Sequence, residues 1–240
     1  MSASTYELIF EDEDMLVVNK PAGLLTIPDR TGAQQSLVGL LERKYGKVFI
    51  VHRLDRETSG ILVFARNEAA HRNLSMQMEH HSSDKFYYAL VEGVMHKEEG
   101  EVDKPIGEHP RTAGKMAIVS SGKPSLTFFR VAERFKNFTL LEVMIKTGRT
   151  HQIRVHLQSI GYPLAVDALY GRRAAFLLSE IKGKSYKSGK YTEEERPMMD
   201  RISLHAARLR VDHPTTGERM EFKTDLPKDF SAVLNQLRKL

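Results

Sequence analysis

The stretch from His52 to Ala65 constrains this chain more than any other. Residues 52–60 run His-Arg-Leu-Asp-Arg-Glu-Thr-Ser-Gly, and residues 61–65 run Ile-Leu-Val-Phe-Ala. A continuous apolar run of this kind marks a strand buried on both faces. Such a strand needs neighbours in its sheet and a covering layer on each side. The polar run directly before it falls at an element boundary, where binding and catalytic side chains concentrate.

The other elements follow from pattern and punctuation. Tyr6 to Phe10 and Met15 to Val18 read as strands around the acidic turn Glu11 to Asp14, and Asn19 to Gly23 reads as a break. Leu37, Leu40 and Leu41 give helical spacing within Gln35 to Tyr45. Asn67 is placed to cap a helix with Ala70, Leu74 and Met78 on one face. Phe86 to Val91, Leu126 to Val131 and Thr139 to Ile145 read as strands, the last alternating through Leu141, Val143 and Ile145. Residues 97–124 read as loops with short strands. Thr150 is placed to cap a helix through Ile153, Leu157 and Ile160 that stops at Gly161 and Pro163. Ala206 to Val211 and Arg219 to Phe222 predict a hairpin, and the tail from Asp229 a short amphipathic helix. Residues 171–200 are the outlier: Lys182, Lys184, Lys187 and Lys190 alternate with Gly and Ser, which predicts a mobile loop. Strands and helices alternate irregularly, so the expectation is one α+β domain over residues 1–240 rather than a doubly wound parallel sheet.

Composition narrows the chemistry. The 240 residues include no Cys. Disulfides, thiolate metal centres and a thiol nucleophile are therefore excluded. No phosphate-binding glycine loop occurs, because Leu178 stands where Gly183-Lys184-Ser185 would need its first glycine. His151 and His156 are five apart, the wrong spacing for zinc ligands on one helix face. Net charge is +5, which permits a polyanionic partner. It is unevenly spread: residues 1–100 hold 11 Lys/Arg against 15 Asp/Glu, and residues 101–240 hold 25 against 16. The later chain is thus the expected basic face for phosphates. The acidic N-terminus carries no secretory pattern and no apolar run reaches membrane length, so the expected location is cytoplasmic, with no membrane partner.

A second polar cluster spans Lys146-Thr147-Gly148-Arg149-Thr150-His151-Gln152-Ile153-Arg154-Val155-His156. With His52 to Gly60, Val17 to Leu24, Lys85-Phe86-Tyr87, Gly122-Lys123-Pro124 and Leu204-His205-Ala206, it makes the sequence resemble the RluA-type pseudouridine synthases, which isomerise uridine to pseudouridine in ribosomal or transfer RNA. The resemblance implies an α+β catalytic fold with a bent, mixed, mostly antiparallel sheet flanked by helices and loops, without a separate N-terminal RNA-binding module. It implies Asp55 as catalytic aspartate, Tyr87 as active-site tyrosine, Arg154 as the arginine paired with the aspartate, and Arg53 as the residue that displaces the target base. His52, Thr58, Lys20, Arg149, His151 and Gln152 in the same motifs, with Lys182, Lys184, Lys187 and Lys190, are the expected RNA contacts. Val166 departs from the family, which has glycine before Asp167.

The reaction neither gains an atom nor changes oxidation state, so no cofactor and no metal is expected. Without Cys, a carboxylate is the natural nucleophile, and an adjacent arginine keeps such a group ionised and aimed. Asp55 has three routes, through carbon 1′ of ribose, carbon 6 of uracil or a glycal. The target base must leave the RNA stack to be reached. Tyr87 fits stacking better than proton abstraction, because a phenol is a weak base near neutrality. The competing readings are an inactive RNA-binding or assembly factor of the same fold, and a glycosidase using Asp55 with Glu57. A monomer is expected.

Overall fold

A computed structural model describes residues 6–29, 32, 34–183, 186 and 195–240. The apolar run is β4 (Ser59–Ala65), and all seven of its residues are buried. Its neighbours explain why. Strand β2 (Met15–Lys20) pairs with it antiparallel from Met15↔Ala65 to Lys20↔Gly60. At its N-terminal end β11 (Leu204–Asp212) joins in parallel through His205↔Ser59 and Ala206↔Gly60. At its other end β3 (Phe49–Ile50) adds two antiparallel pairs. Gly60 allows the parallel contact. Its φ is +120° and an added Cβ would lie 2.1 Å from the Ala206 carbonyl oxygen, so only glycine fits this crossing.

The sheet continues through β5 (Asp84–Glu92), β10 (Phe138–Ile145), β9 (Leu126–Arg134) and β6 (Glu99–Asp103), with β1 (Glu7–Glu11) at the opposite edge beyond β2. Every strand pair among the described residues is antiparallel except β11 with β4. Strand β11 pairs with β5 along its length, with a register shift between Ala206 and Arg208, and divides its other edge between two partners. Its first half meets β4, and its second half forms the predicted hairpin with β12 (Arg219–Lys223). A small separate hairpin, β7 (Ile106–Glu108) with β8 (Met116–Ile118), stands off the main sheet.

Both faces are covered, as the apolar run requires. On one face Leu16, Val18, Leu62, Phe64, Tyr87 and Val143 pack with α1 (Leu37–Tyr45) and α3 (Gln152–Ser159). On the other, Met15, Val17, Ile61 and Val63 pack with Ala70 and Leu74 of α2 (Glu68–Glu79). The alternation along β2 and β4 sorts neighbouring residues into opposite cores. Each such side chain contributes about 1.5–3 kcal/mol on burial. Asn67 caps α2 by accepting from Ala70 N at 2.8 Å, as its position predicts.

Three local expectations need correction. Strand β2 runs on to Lys20, because Asn19 and Lys20 keep pairing with β4. Thr150 does not cap α3. The cap position is His151, in the left-handed region at φ 56° and without a side-chain cap bond. Residues 171–200 are not wholly loop. Within them α4 (Leu178–Lys182) forms. Phe176 bridges to Met199, and both are buried in the core completed by α5 (Lys228–Leu237). Two large apolar side chains anchor this segment where its Gly, Ser and Lys content suggested none. Lys184, Lys187 and Lys190 lie outside the described residues. Val166 is only 1% exposed, and its backbone exchanges hydrogen bonds with Ser203. The larger side chain is accommodated by the α5 core.

Candidate active site

The polar run before β4 and the cluster before α3 come together. With β5 between them, they line a cavity of about 410 Å³ that includes Arg53, Asp55, Lys85, Tyr87, His151 and Arg154. This lies within the size range of small-ligand pockets. Each element contributes through its geometry. Alternation along β5 turns Lys85 and Tyr87 to the same side, both buried. Strand β4 begins at Ser59, beside the crossing at Gly60, and residues 53–58 before it form a loop over the sheet, closed by Thr58 N donating to the Asp55 carbonyl at 3.1 Å.

Arg154 organises the charges. Its Nε and Nη2 donate to Asp167 Oδ2 and Oδ1 at 2.7 and 2.9 Å. Its Nη1 reaches Asp55 Oδ2 at 3.3 Å. The best-matched, forked pairing thus goes to Asp167, which is fully buried and also accepts from Leu169 N and Tyr170 N. Burial alone would raise the Asp167 carboxyl, but these hydrogen bonds and the Arg154 charge hold it below the usual range. Asp55 receives the remaining, longer contact and stays partly accessible, its side chain 24% exposed. An anion aimed but not fully occupied can act on a ligand.

His151 Nε2 lies 3.8 Å from the same Asp55 oxygen, and its Nδ1 is 2.9 Å from the Tyr170 hydroxyl. Burial lowers His151 against the opposing pull of Asp55, so the ring is neutral near pH 7. Tyr170 also accepts from Met116 N at 2.7 Å and carries the Arg154 guanidinium 4.8 Å from its ring centroid. Burial first, and then the Asp55 charge, push the Tyr87 phenol well above its ordinary value. It stays protonated and presents a ring edge or face and a hydroxyl donor, not a base.

Several of the expected RNA contacts are engaged by partners within the fold. Lys20 is completely buried. Its Nζ donates to the carbonyls of Pro21, Leu24 and Arg56 at 2.9, 2.8 and 3.0 Å, so it braces the loop that carries Asp55 and has no surface for substrate. Gln152 is 3% exposed. It accepts from Arg149 N and Thr147 Oγ1 and donates to Leu126 O and Thr127 Oγ1, which uses up its amide. His52 accepts from Val63 N at 3.2 Å. Burial, helped by the Lys85 charge, lowers it to about 3, so it is a neutral strut on the cavity wall. Thr58 is buried in the same wall.

Arg53 is exposed and Arg149 half-buried, both on the cavity lining. Lys182 is exposed on α4 and does not line this cavity. Glu57 faces a different groove, with Lys20, Arg201 and Asp229, and pairs with Arg56 at 3.5 Å. The two acids of a glycosidase therefore do not face one bond. Asp167, Tyr170 and Lys85 are the site residues that motif reading left out. For Lys85 a signal existed, since it stands two residues before Tyr87 in a strand.

A cleft built around one arginine-held carboxylate, with a buried phenol and flanking cations, has the equipment of an enzyme whose reacting group is a carboxylate. Residues 14–159 match the family described as RNA pseudouridylate synthase. The chain is 40% identical over 238 residues to the ribosomal large subunit pseudouridine synthase D of Pseudomonas aeruginosa, covering 97% of this chain and 72% of that protein. It is 37% identical to an uncharacterized RNA pseudouridine synthase of Bacillus subtilis, with 97% and 73% covered. Among solved structures, human RNA pseudouridylate synthase domain containing 4 superposes with a TM-score of 0.73 at 25% identity, covering 97% of this chain and 93% of that one. This chain belongs to the RNA pseudouridylate synthase family, and its reaction is the isomerisation of uridine in RNA to pseudouridine.

Proposed function

We propose that this chain modifies uridine in ribosomal RNA of the large subunit, with Asp55 as the reacting carboxylate. The observation that carries the site assignment is the Arg154 to Asp55 contact at 3.3 Å inside the cavity. The substrate class rests on relatives from Pseudomonas aeruginosa and Nitrosomonas europaea, 40% and 38% identical, whose names specify the ribosomal large subunit.

The nitrogen–carbon glycosidic bond breaks, uracil rotates, and carbon 5 bonds to carbon 1′. Carbon 5 loses its proton and the freed ring nitrogen gains one, so the product is an isomer. Arg154 holds and directs Asp55, and Asp167 holds Arg154. Tyr87 stacks on or donates to the extruded base. Arg53, exposed at the cavity mouth, fills the space that the base leaves in the RNA. Lysines and arginines of the later chain contact phosphates, which sets salt-sensitive affinity.

The test is to incubate purified protein with RNA from a strain lacking its gene and map pseudouridine at single-residue resolution. Wild type is expected to restore a missing large-subunit site. Asp55→Asn is expected to lower product at least about 1000-fold while RNA affinity stays within about threefold. Full turnover by Asp55→Asn would remove that residue from the chemistry. Restoration in transfer RNA alone would move the substrate class.

A further inference from the structure

We propose that Lys85 is a further catalytic residue, whose ammonium group binds the negative charge that develops on uracil when its glycosidic bond breaks. The inference rests on the isomerase reading of the same cavity. Lys85 is 7% exposed, and its accessible part faces the cavity shared with Asp55 and Tyr87. A buried ammonium normally sits against a carboxylate, because the water it gives up must be replaced by a counter-charge. Among the described residues Lys85 makes no ion pair, and its Nζ donates to Met78 Sδ at 3.8 Å.

The nearest candidate counter-charge is taken. Asp84 precedes Lys85 in β5 and is engaged by Lys146 and Arg219, each at 2.9 Å. Beyond the pull of Asp84, the smallest of the influences on Lys85, the surroundings add no compensation. Lys146 and Arg149 approach from the end of β10 and the loop after it and repel Lys85. His52 is neutral and already accepts from Val63 N. Tyr87 stays protonated, Asp55 lies against Arg154, and Glu79 of α2 lines the rim exposed to solvent. A cation maintained without a protein partner in a ligand cavity is complementary to a charge that the ligand brings. Burial and the two neighbouring cations lower Lys85 to about 8, so the ammonium form still prevails near pH 7.

The chemistry supplies such a charge. When the bond from ring nitrogen 1 to carbon 1′ breaks, its electron pair stays on the nitrogen and spreads to the two carbonyl oxygens. The Lys85 Nζ–H donates to one of these oxygens and holds the free base while it turns. The electron pair then forms the bond from carbon 5 to carbon 1′, and the charge on the oxygens disappears. Lys85 loses no proton in the cycle. The interaction is strongest in the charged intermediate and weak in substrate and product, the condition for accelerating the step.

The experiment uses single-turnover kinetics on an RNA that wild type modifies. Lys85→Met is expected to lower the rate about 100-fold to 1000-fold, with substrate affinity nearly unchanged. Lys85→Arg keeps a cation and is expected to recover at least about a tenth of the wild-type rate. The wild-type rate should fall as pH rises through about 8, and Lys85→Arg should move that limb upward. RNA carrying 5-fluorouridine at the target provides the discriminating readout. Fluorine stabilises the departing anion, so the Lys85→Met penalty on consumption of the nucleoside should shrink at least about tenfold. An equal penalty on both RNAs, or a rate within threefold of wild type, would overturn the proposal. Circular dichroism and thermal melting verify that Lys85→Met is folded. An inactive wild type would concern the RNA chosen, and an active wild type with an unresponsive Lys85 series would concern Lys85.

Discussion

Two arrays of arginines and carboxylates, one in the cavity and one across the sheet, are given different work by their surroundings. Inside the cavity, Arg154 bridges a fully buried Asp167 and a partly exposed Asp55. On the outer face, Arg130 and Arg208 both reach Glu142, and Arg208 and Arg210 both reach Glu221. The outer array lies across β9, β10, β11 and β12, with the Arg208 guanidinium 3.8 Å from the Phe86 ring centroid. Its members keep water contact. Their attraction is screened, and removing one leaves nothing stranded. The inner array is dry on one side, so each charge depends on its partner. Water exclusion, more than the pairing itself, makes one array a positioning device and the other a set of cross-strand supports.

Arg154→Met separates the two most strongly. It strands Asp167, so stability should fall by about 3–5 kcal/mol in chemical denaturation, and product formation should be lost. Adding Asp167→Leu should recover more than half of that stability and none of the activity. If the double variant stays as unstable as the single, the burial argument for the inner array fails.

Lys20→Met should have the next largest effect. Three backbone carbonyls lose their donor, and an unsatisfied buried group costs about 1–3 kcal/mol. Part of that loss should appear as loosened geometry at Asp55, read as a lower single-turnover rate with RNA affinity little changed. A Lys20→Met protein with wild-type rate would show that the loop is held by its other bonds, such as Gly23 N to the Arg56 carbonyl at 2.9 Å.

Arg130→Ala should have the smallest effect. The side chain is 66% exposed and its pair with Glu142 spans 3.1 Å. The expected loss is under about 1 kcal/mol, abolished by raised salt, with isomerase activity untouched. A larger, salt-resistant loss would show that the outer array is more shielded than its exposure indicates.

Much of this contrast was legible in the residues. The apolar run at Ile61 announced a doubly covered strand, and Asn67, the 219–222 strand and the amphipathic tail fell where pattern placed them. The absence of Cys pointed to a carboxylate, and the motifs singled out Asp55, Tyr87 and Arg154, which the fold gathers into one cavity. Lys20 and Gln152 lie inside the fold where the motifs pointed to RNA, for one reason. A polar side chain reads the same whether it meets RNA or backbone, and only burial tells them apart. The sequence also grouped Asp55 with Glu57, which the turn sends to different grooves.

Local composition and periodicity determined which strands are buried, where α2 begins and which reaction classes lack equipment, because those properties depend on neighbours along the chain. The tertiary structure decided that Arg154 gives its forked face to Asp167 and its last nitrogen to Asp55. It also decided that Lys20 holds a loop and that Lys85 lines the cavity with no ion pair among the described residues. Partnership and desolvation are set by residues tens of positions apart, and electrostatic energies follow distance and dielectric in space.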